Sequence, residues 1–202
     1  MKNALIIFVR NPVLGKVKTR IAAALGEQEA LRIYSALLQH THDISLSIAA
    51  DKYVFYSDHP QLGDIWEDNI YHKFLQAGEA LGHKMKSAFN RMFENSYSRV
   101  VITGSDCLEL TSAIIENAFT ALKDNEAVIG PAKDGGYYLL GLTKMISGIF
   151  ENKNWSSATV CTDTIADFEK AGIKHLYLPM LNDVDTAEDV PNQLLNQQQI
   201  SE

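Results

Sequence analysis

The chain has 202 residues, 46% hydrophobic content and a formal net charge of −7, enough apolar material for one well-buried domain over residues 1–202. The acidic balance excludes a general binder of nucleic acid or of membrane surfaces, since both are held mainly by excess Lys and Arg. Two cysteines, Cys107 and Cys161, with no C-x-x-C imply neither a disulfide framework nor a zinc site, and together with the lack of a leader or an apolar run long enough to span a bilayer they predict a cytoplasmic protein.

Ala4 to Val9 is an almost unbroken apolar run, as expected of a parallel strand covered on both faces. Asn11, Pro12 and Gly15 then break the pattern. Lys16, Lys18 and Arg20 bring positive charge, and Ile21 to Leu25 resume a helical texture. This loop is read either as a phosphate cradle or as a solvated basic turn; it matches neither a Walker loop nor G-x-G-x-x-G. A long helix is predicted from Glu27 to about Ala49, with Ala30, Ile33, Tyr34, Leu37 and Leu38 on its apolar face. His40 and His42 lie two apart on it and point in different directions, so they are read as structural or solvated rather than as joint metal ligands.

Strands are predicted at Lys52–Ser57, Ile70–Leu75, Arg99–Thr103, Ala127–Ile129, Tyr137–Leu142 and Lys174–Leu178. The segment through Trp66 shows no period. Helices are expected after Gln76–Met85, from Thr111 as N-cap to about Lys123, and before Gly172, with Thr186 capping a short terminal one. The Gln- and Asn-rich tail after Leu195 reads as frayed. Strand–helix alternation implies an α/β fold with a mostly parallel central sheet flanked by helices, made mixed by the turn Lys133–Gly136 joining two strands. In such sheets ligands gather beyond the carboxyl ends of the strands, where Asn11–Arg20, Gly104–Cys107 and Asp183–Thr186 all fall.

Each acidic position carries two readings. Asp106, just past a buried strand, is either a metal-binding carboxylate or a turn Asp. Asp183 and Asp185 face one way if their stretch is extended, whereas a turn turns one of them aside. Asp134-Gly135-Gly136 is a tight turn or, with Tyr137-Tyr138, a wall for a sugar or base. Cys107 lacks a neighbouring His and is not expected to be a nucleophile.

Five stretches, FVRNPVLGKVKTRIAAALG (Phe8 to Gly26), QAGEALGHKM (Gln76 to Met85), ITGSDCLEL (Ile102 to Leu110), GPAKDGGYYLLGL (Gly130 to Leu142) and LNDVDTAEDV (Leu181 to Val190), resemble in order the bacterial DUF2064 family. That family is also called radical-SAM/selenodomain-associated transferase 1, of the nucleotide-diphospho-sugar transferase superfamily. The resemblance implies a GT-A (Rossmann-like) fold in which Gly15, Lys18, Thr19, Arg20 and Gly104 serve the nucleotide. It also implies that Asp106 and Asp185 hold Mg²⁺ or Mn²⁺, with Asp106 also counted in the nucleotide site, and that Asp134, Gly135, Gly136 and Tyr137 lie beside the sugar or acceptor. Arg10, Leu14, Lys84 and Leu108 depart from the usual family residues, and none removes a ligand.

The expectation is a metal-dependent transferase that uses a nucleotide-diphosphate sugar and a small-molecule acceptor, with Lys18, Arg20 and Asp134 catalytic. Its rivals are a nucleotidyltransferase acting on a nucleoside triphosphate and a phosphorylated partner, and a non-catalytic nucleotide-binding module.

Overall fold

Apolar runs of five to seven residues with no polar face can be buried only in the middle of a sheet. In the computed structural model, which describes residues 2–155 and 157–195, such runs form β1 (Asn3–Val9), β2 (Asp51–Tyr56) and β4 (Arg99–Thr103), while β3 (Tyr71–Leu75), with His72 and Lys73 within it and only Tyr71 buried, takes an edge. β5 (Ala127–Pro131), β6 (Tyr137–Leu142) and the short β7 (His175–Tyr177) complete one sheet of order β3-β2-β1-β4-β6-β5-β7. β1 pairs in parallel with β2 and with β4, β2 with β3, and β5 with β7, whereas β6 runs antiparallel to both β4 and β5. The sheet is thus mostly parallel and mixed, as the turn Lys133–Gly136 predicts.

Alternation along the strands divides the interior into two cores. Leu5, Ile7, Val9 and Val101 face the layer containing α1 (Thr19–Leu25), α2 (Glu27–Leu46) and α4 (Ser112–Ala121). Ala4, Ile6, Val100 and Ile102 face α3 (Leu81–Glu94) and α5 (Val160–Lys170). Thr111 caps α4, its side chain accepting the Ile114 N–H. Several boundaries move. α2 ends at Leu46 rather than near Ala49, and Thr186 opens only a single 3₁₀ turn, Ala187–Asp189, before the short α6 (Asn192–Leu195). The turn is closed by a capping box in which the Thr186 side chain and Asp189 satisfy each other's backbone N–H groups.

The Trp66 segment, which has no period, carries a core plug. Trp66 is buried and packs edge-on against Tyr71 and His42. His42 has a structural place: its ring nitrogens meet Asp43 and Glu67, each at 2.9 Å. No helix among the described residues is long and apolar enough to cross a membrane. The tail after Leu195 lies outside the described residues.

Candidate active site

The chain leaves β1 toward β2 and β3 on one side and returns to β4 on the other, so the loops after β1 and β4 diverge and leave a crevice between them. A cleft of about 1090 Å³ lies there, slightly above the usual range for small-ligand sites, about 300–1,000 Å³.

The first loop is fastened before it is functional. Buried Asn11 donates from its amide nitrogen to His59 O (2.9 Å), and its oxygen accepts from the Asp58 and His59 N–H groups. Gly15, at φ 74°, makes the turn and does not line the cleft. Val17 is buried beneath the loop, and Lys18 adopts a left-handed backbone (φ 46°, ψ 48°) immediately before α1. Lys16, Lys18, Thr19 and Arg20 line the cleft.

The acidic side is built by two loops stitched together. The Val184 N–H donates to Asp106 O at 2.8 Å, bringing the loop after β4 against the Asp183–Thr186 stretch. Asp106 Oδ1 and Asp185 Oδ1 then converge on one group, the Lys18 ammonium, at 2.9 and 3.1 Å. Expected to serve phosphate, Lys18 is here the counter-ion of both proposed metal ligands. Asp189 holds this loop in shape. It accepts from Asn182 Nδ2, from the Asp185 and Thr186 N–H groups and from the Thr186 hydroxyl. Burial opposes its ionisation, but the bonds from Asn182 and Thr186 outweigh burial and hold its carboxyl below the usual range.

Asp183 also lines the cleft. Burial, then the charges of Asp106, Asp134 and Asp185, push its carboxyl up to about 7, with Lys18 opposing only in part. Both acids of the Asp-x-Asp thus face the cleft.

Asp134 lies on the β5–β6 turn, its carboxylate accepting the Gly136 N–H at 2.8 Å while facing the cleft. Gly135 sits behind it at φ 90°, its carbonyl accepting the Cys161 N–H at 2.9 Å. Tyr137 and Tyr138 do not form one aromatic wall, because adjacent strand residues point to opposite faces. Tyr138 buries its ring against Gly130 and donates to Pro179 O at 2.9 Å. Trp155, packed across Gly82 of α3, lines the cleft beside Tyr137, and Tyr138 borders it as well.

Cys107 is inert. It is buried, its thiol is pushed up to about 12 chiefly by burial, and its Sγ donates to Asn182 O.

Two supporting residues, Tyr34 on the apolar face of α2 and Gln76 at the head of the QAGEALGHKM stretch, take roles that only the folded chain shows. The Tyr34 hydroxyl, pushed up to about 12 chiefly by burial, accepts the Arg10 N–H, donates to Arg10 O and lies 3.4 Å from Ser105 Oγ, so it joins the loops after β1 and β4. Gln76 donates to Val9 O and Phe55 O, tying the ends of β1 and β2. Among the described residues no three or more His, Cys, Asp or Glu side chains form a metal-holding group. The arrangement is a pair of carboxylates facing a cleft.

Sheet order, reversed β6 and a cleft at the switch point define the GT-A architecture of the nucleotide-diphospho-sugar transferase superfamily. A crystal structure of a proposed nucleotide-diphospho-sugar transferase from Desulfovibrio desulfuricans G20 is 33% identical with a TM-score of 0.84, over 92% of this chain and 84% of that one. The inositol-1-phosphate CTP transferase from T. maritima superposes with a TM-score of 0.58 at 10% identity, over 96% of this chain and 93% of that one. The 4-diphosphocytidyl-2C-methyl-D-erythritol synthase from Anaerococcus prevotii DSM 20548 gives 0.59 at 13%, over 93% and 92%. These last two share the fold alone. No protein of curated function matches in sequence. Residues 34–157 match the family described as "Uncharacterized protein conserved in bacteria (DUF2064)", and the chain belongs to that family.

Proposed function

We propose that this protein is a cytoplasmic, divalent-metal-dependent transferase that takes a nucleotide-diphosphate sugar as donor and a small molecule as acceptor. The observation that carries the reading is the convergence of Asp106 and Asp185 on one cation position, beside a basic loop at the switch point of the sheet. The kinship with the Desulfovibrio desulfuricans protein supports the donor class.

A two-carboxylate site that now holds an ammonium fits Mg²⁺ or Mn²⁺, which commonly take one or two carboxylates and leave the other positions to phosphates and water. When bound there, the ion supplies charge stabilisation to the departing diphosphate. Lys18 and Arg20 add positive charge on the same side, and Thr19 completes the phosphate loop. Gly104 leaves open space where a Cβ would stand, so the nucleotide can lie against its backbone. Asp134 takes the proton of the acceptor nucleophile, and Gly135, Gly136 and Tyr137 shape the acceptor side.

A second reading, nucleotidyl transfer from a triphosphate to a phosphorylated partner, is favoured by the CTP transferase that shares this fold. The two are separated by their products. A thermal-shift panel of nucleoside di- and triphosphates and nucleotide sugars, with and without Mn²⁺, identifies the donor. At a hundredfold excess over Kd a ligand adds about 2.7 kcal/mol, or roughly 5–10 °C in a domain this size. That metal-dependent gain is expected to vanish in Asp106→Asn, and its persistence refutes the metal assignment. Release of pyrophosphate rather than a nucleoside diphosphate on turnover refutes glycosyl transfer.

A further inference from the structure

We propose that Lys18 is the resident cation of the Asp106–Asp185 pair, so that a divalent ion enters the site only by displacing its ammonium. The displaced ammonium then becomes a ligand of the nucleotide's phosphates. The inference rests on the reading of this carboxylate pair as the metal site.

Three observations carry it. The first is geometric: one Nζ lies within ion-pair distance of a carboxylate oxygen on each of two separate loops, 2.9 Å from Asp106 and 3.1 Å from Asp185. It occupies the position in which a bridging cation would sit. The second is the burial of this one basic side chain. Lys18 is only 7% exposed in its side chain, against 44% and 39% for its two partners, whereas its loop neighbours Lys16 and Arg20 are exposed. The third is the backbone. Lys18 is one of only three non-glycine residues among those described with a positive φ. L side chains seldom adopt this conformation, and here it belongs to the residue whose ammonium meets both carboxylates.

The charge arrangement explains why a cation is held there. Asp106, Asp183, Asp185 and Asp134 all line the cleft, and such a cluster needs a counter-charge in the free protein. Lysine suits the exchange better than arginine would. Its ammonium is a compact point charge on a flexible four-carbon stem, able to move from carboxylate to phosphate without a planar fork to realign. Metal uptake and nucleotide uptake thereby support each other, since each supplies a partner that the other takes away.

The test is Mn²⁺ binding to nucleotide-free protein, followed by electron paramagnetic resonance of the free ion. Wild type is compared with Lys18→Asn, which tolerates a left-handed backbone, and with Lys18→Met, which keeps the length of the stem. Both variants are expected to bind Mn²⁺ about tenfold more tightly than wild type, equivalent to about 1.4 kcal/mol. With UDP or CDP added, water-proton relaxation is expected to report a ternary complex that is weaker in both variants, because the phosphate ligand is gone. Equal or weaker Mn²⁺ affinity in both variants without nucleotide overturns the proposal. Asp106→Asn separates the two levels of failure. If it abolishes Mn²⁺ binding while wild type and Lys18 variants bind equally, only the role of Lys18 fails; if Mn²⁺ binding survives Asp106→Asn, the metal site itself fails, and the Lys18 proposal with it.

Discussion

Gly135 and Gly136 are adjacent, yet the structure assigns them opposite tolerance to a methyl group. A Cβ on Gly135 would stand 2.0 Å from Ala158 O and 2.5 Å from Ala158 C, on a backbone held at φ 90°. Those are backbone atoms, so no side-chain rotation relieves the overlap. Gly135→Ala must separate the β5–β6 turn from the loop before α5 and break the 2.9 Å bond from Cys161 N–H to Gly135 O. Positive φ costs a residue with a Cβ about 1–2 kcal/mol, the lost hydrogen bond about 1 kcal/mol, and overpacking about 1–3 kcal/mol. The sum is roughly 3–6 kcal/mol. At about 2–4 °C per kcal/mol in a domain of this size, the melting temperature is expected to fall by roughly 6–24 °C. A Cβ on Gly136 meets only the Asp134 carboxylate, at 3.2 Å, and no positive φ is involved. Gly136→Ala is therefore expected to stay within about 1 kcal/mol of wild type, helped by a less flexible unfolded chain. Urea unfolding of the two variants side by side is the assay. A Gly135→Ala loss under about 1 kcal/mol, or equal losses in the two, refutes the reasoning.

Asp189→Ala removes the acceptor of four hydrogen bonds that shape the Asp183–Thr186 stretch. It is expected to cost about 1–3 kcal/mol in urea unfolding and to shrink the Mn²⁺-dependent thermal shift, because Asp185 loses its seat; an unchanged shift refutes its positioning role. His42 gives a pH signature. Burial alone would lower its pKa, but the hydrogen bonds to Asp43 and Glu67 outweigh burial and raise it. A histidine raised in the folded state contributes stability that is full below its ordinary pKa and is lost as pH rises through the folded value. Wild type is therefore expected to exceed His42→Gln in urea midpoint at pH 6 by a margin that narrows by pH 8, and an equal margin at both refutes the ion-pair reading.

Apolar runs, β-branched and aromatic content, capping residues and amphipathic spacing together located the strands and the five longer helices to within a few residues, α3 beginning at Leu81 within the Gln76–Met85 stretch, because these are local properties that burial later satisfies. The loops that carry the site were legible for the same reason. Asn11–Arg20, Gly104–Cys107 and Asp183–Thr186 follow strands that local pattern already places in the sheet, and strand ends of an α/β sheet converge. The Trp66 segment was opaque because its order comes from packing against His42 and Tyr71, which local composition does not encode. The facing of Tyr137 and Tyr138 to opposite sides of the sheet follows from the strand pleat, but that both border the cleft, with Tyr138 also bonded to Pro179 O, depends on the tertiary structure.

The sequence by itself determined the fold class, the position of the basic loop, and the choice of Asp106, Asp134 and Asp185 as the acids of interest. Only the tertiary structure decided their relations, because those depend on contacts between residues up to 167 positions apart in the chain. It turned Asp183 inward among like charges, made Asp189 the brace of its loop, and put the Lys18 ammonium between two carboxylates. A lysine read from its neighbours in sequence is a basic residue awaiting phosphate; folded, it is already neutralised by acids from two distant loops.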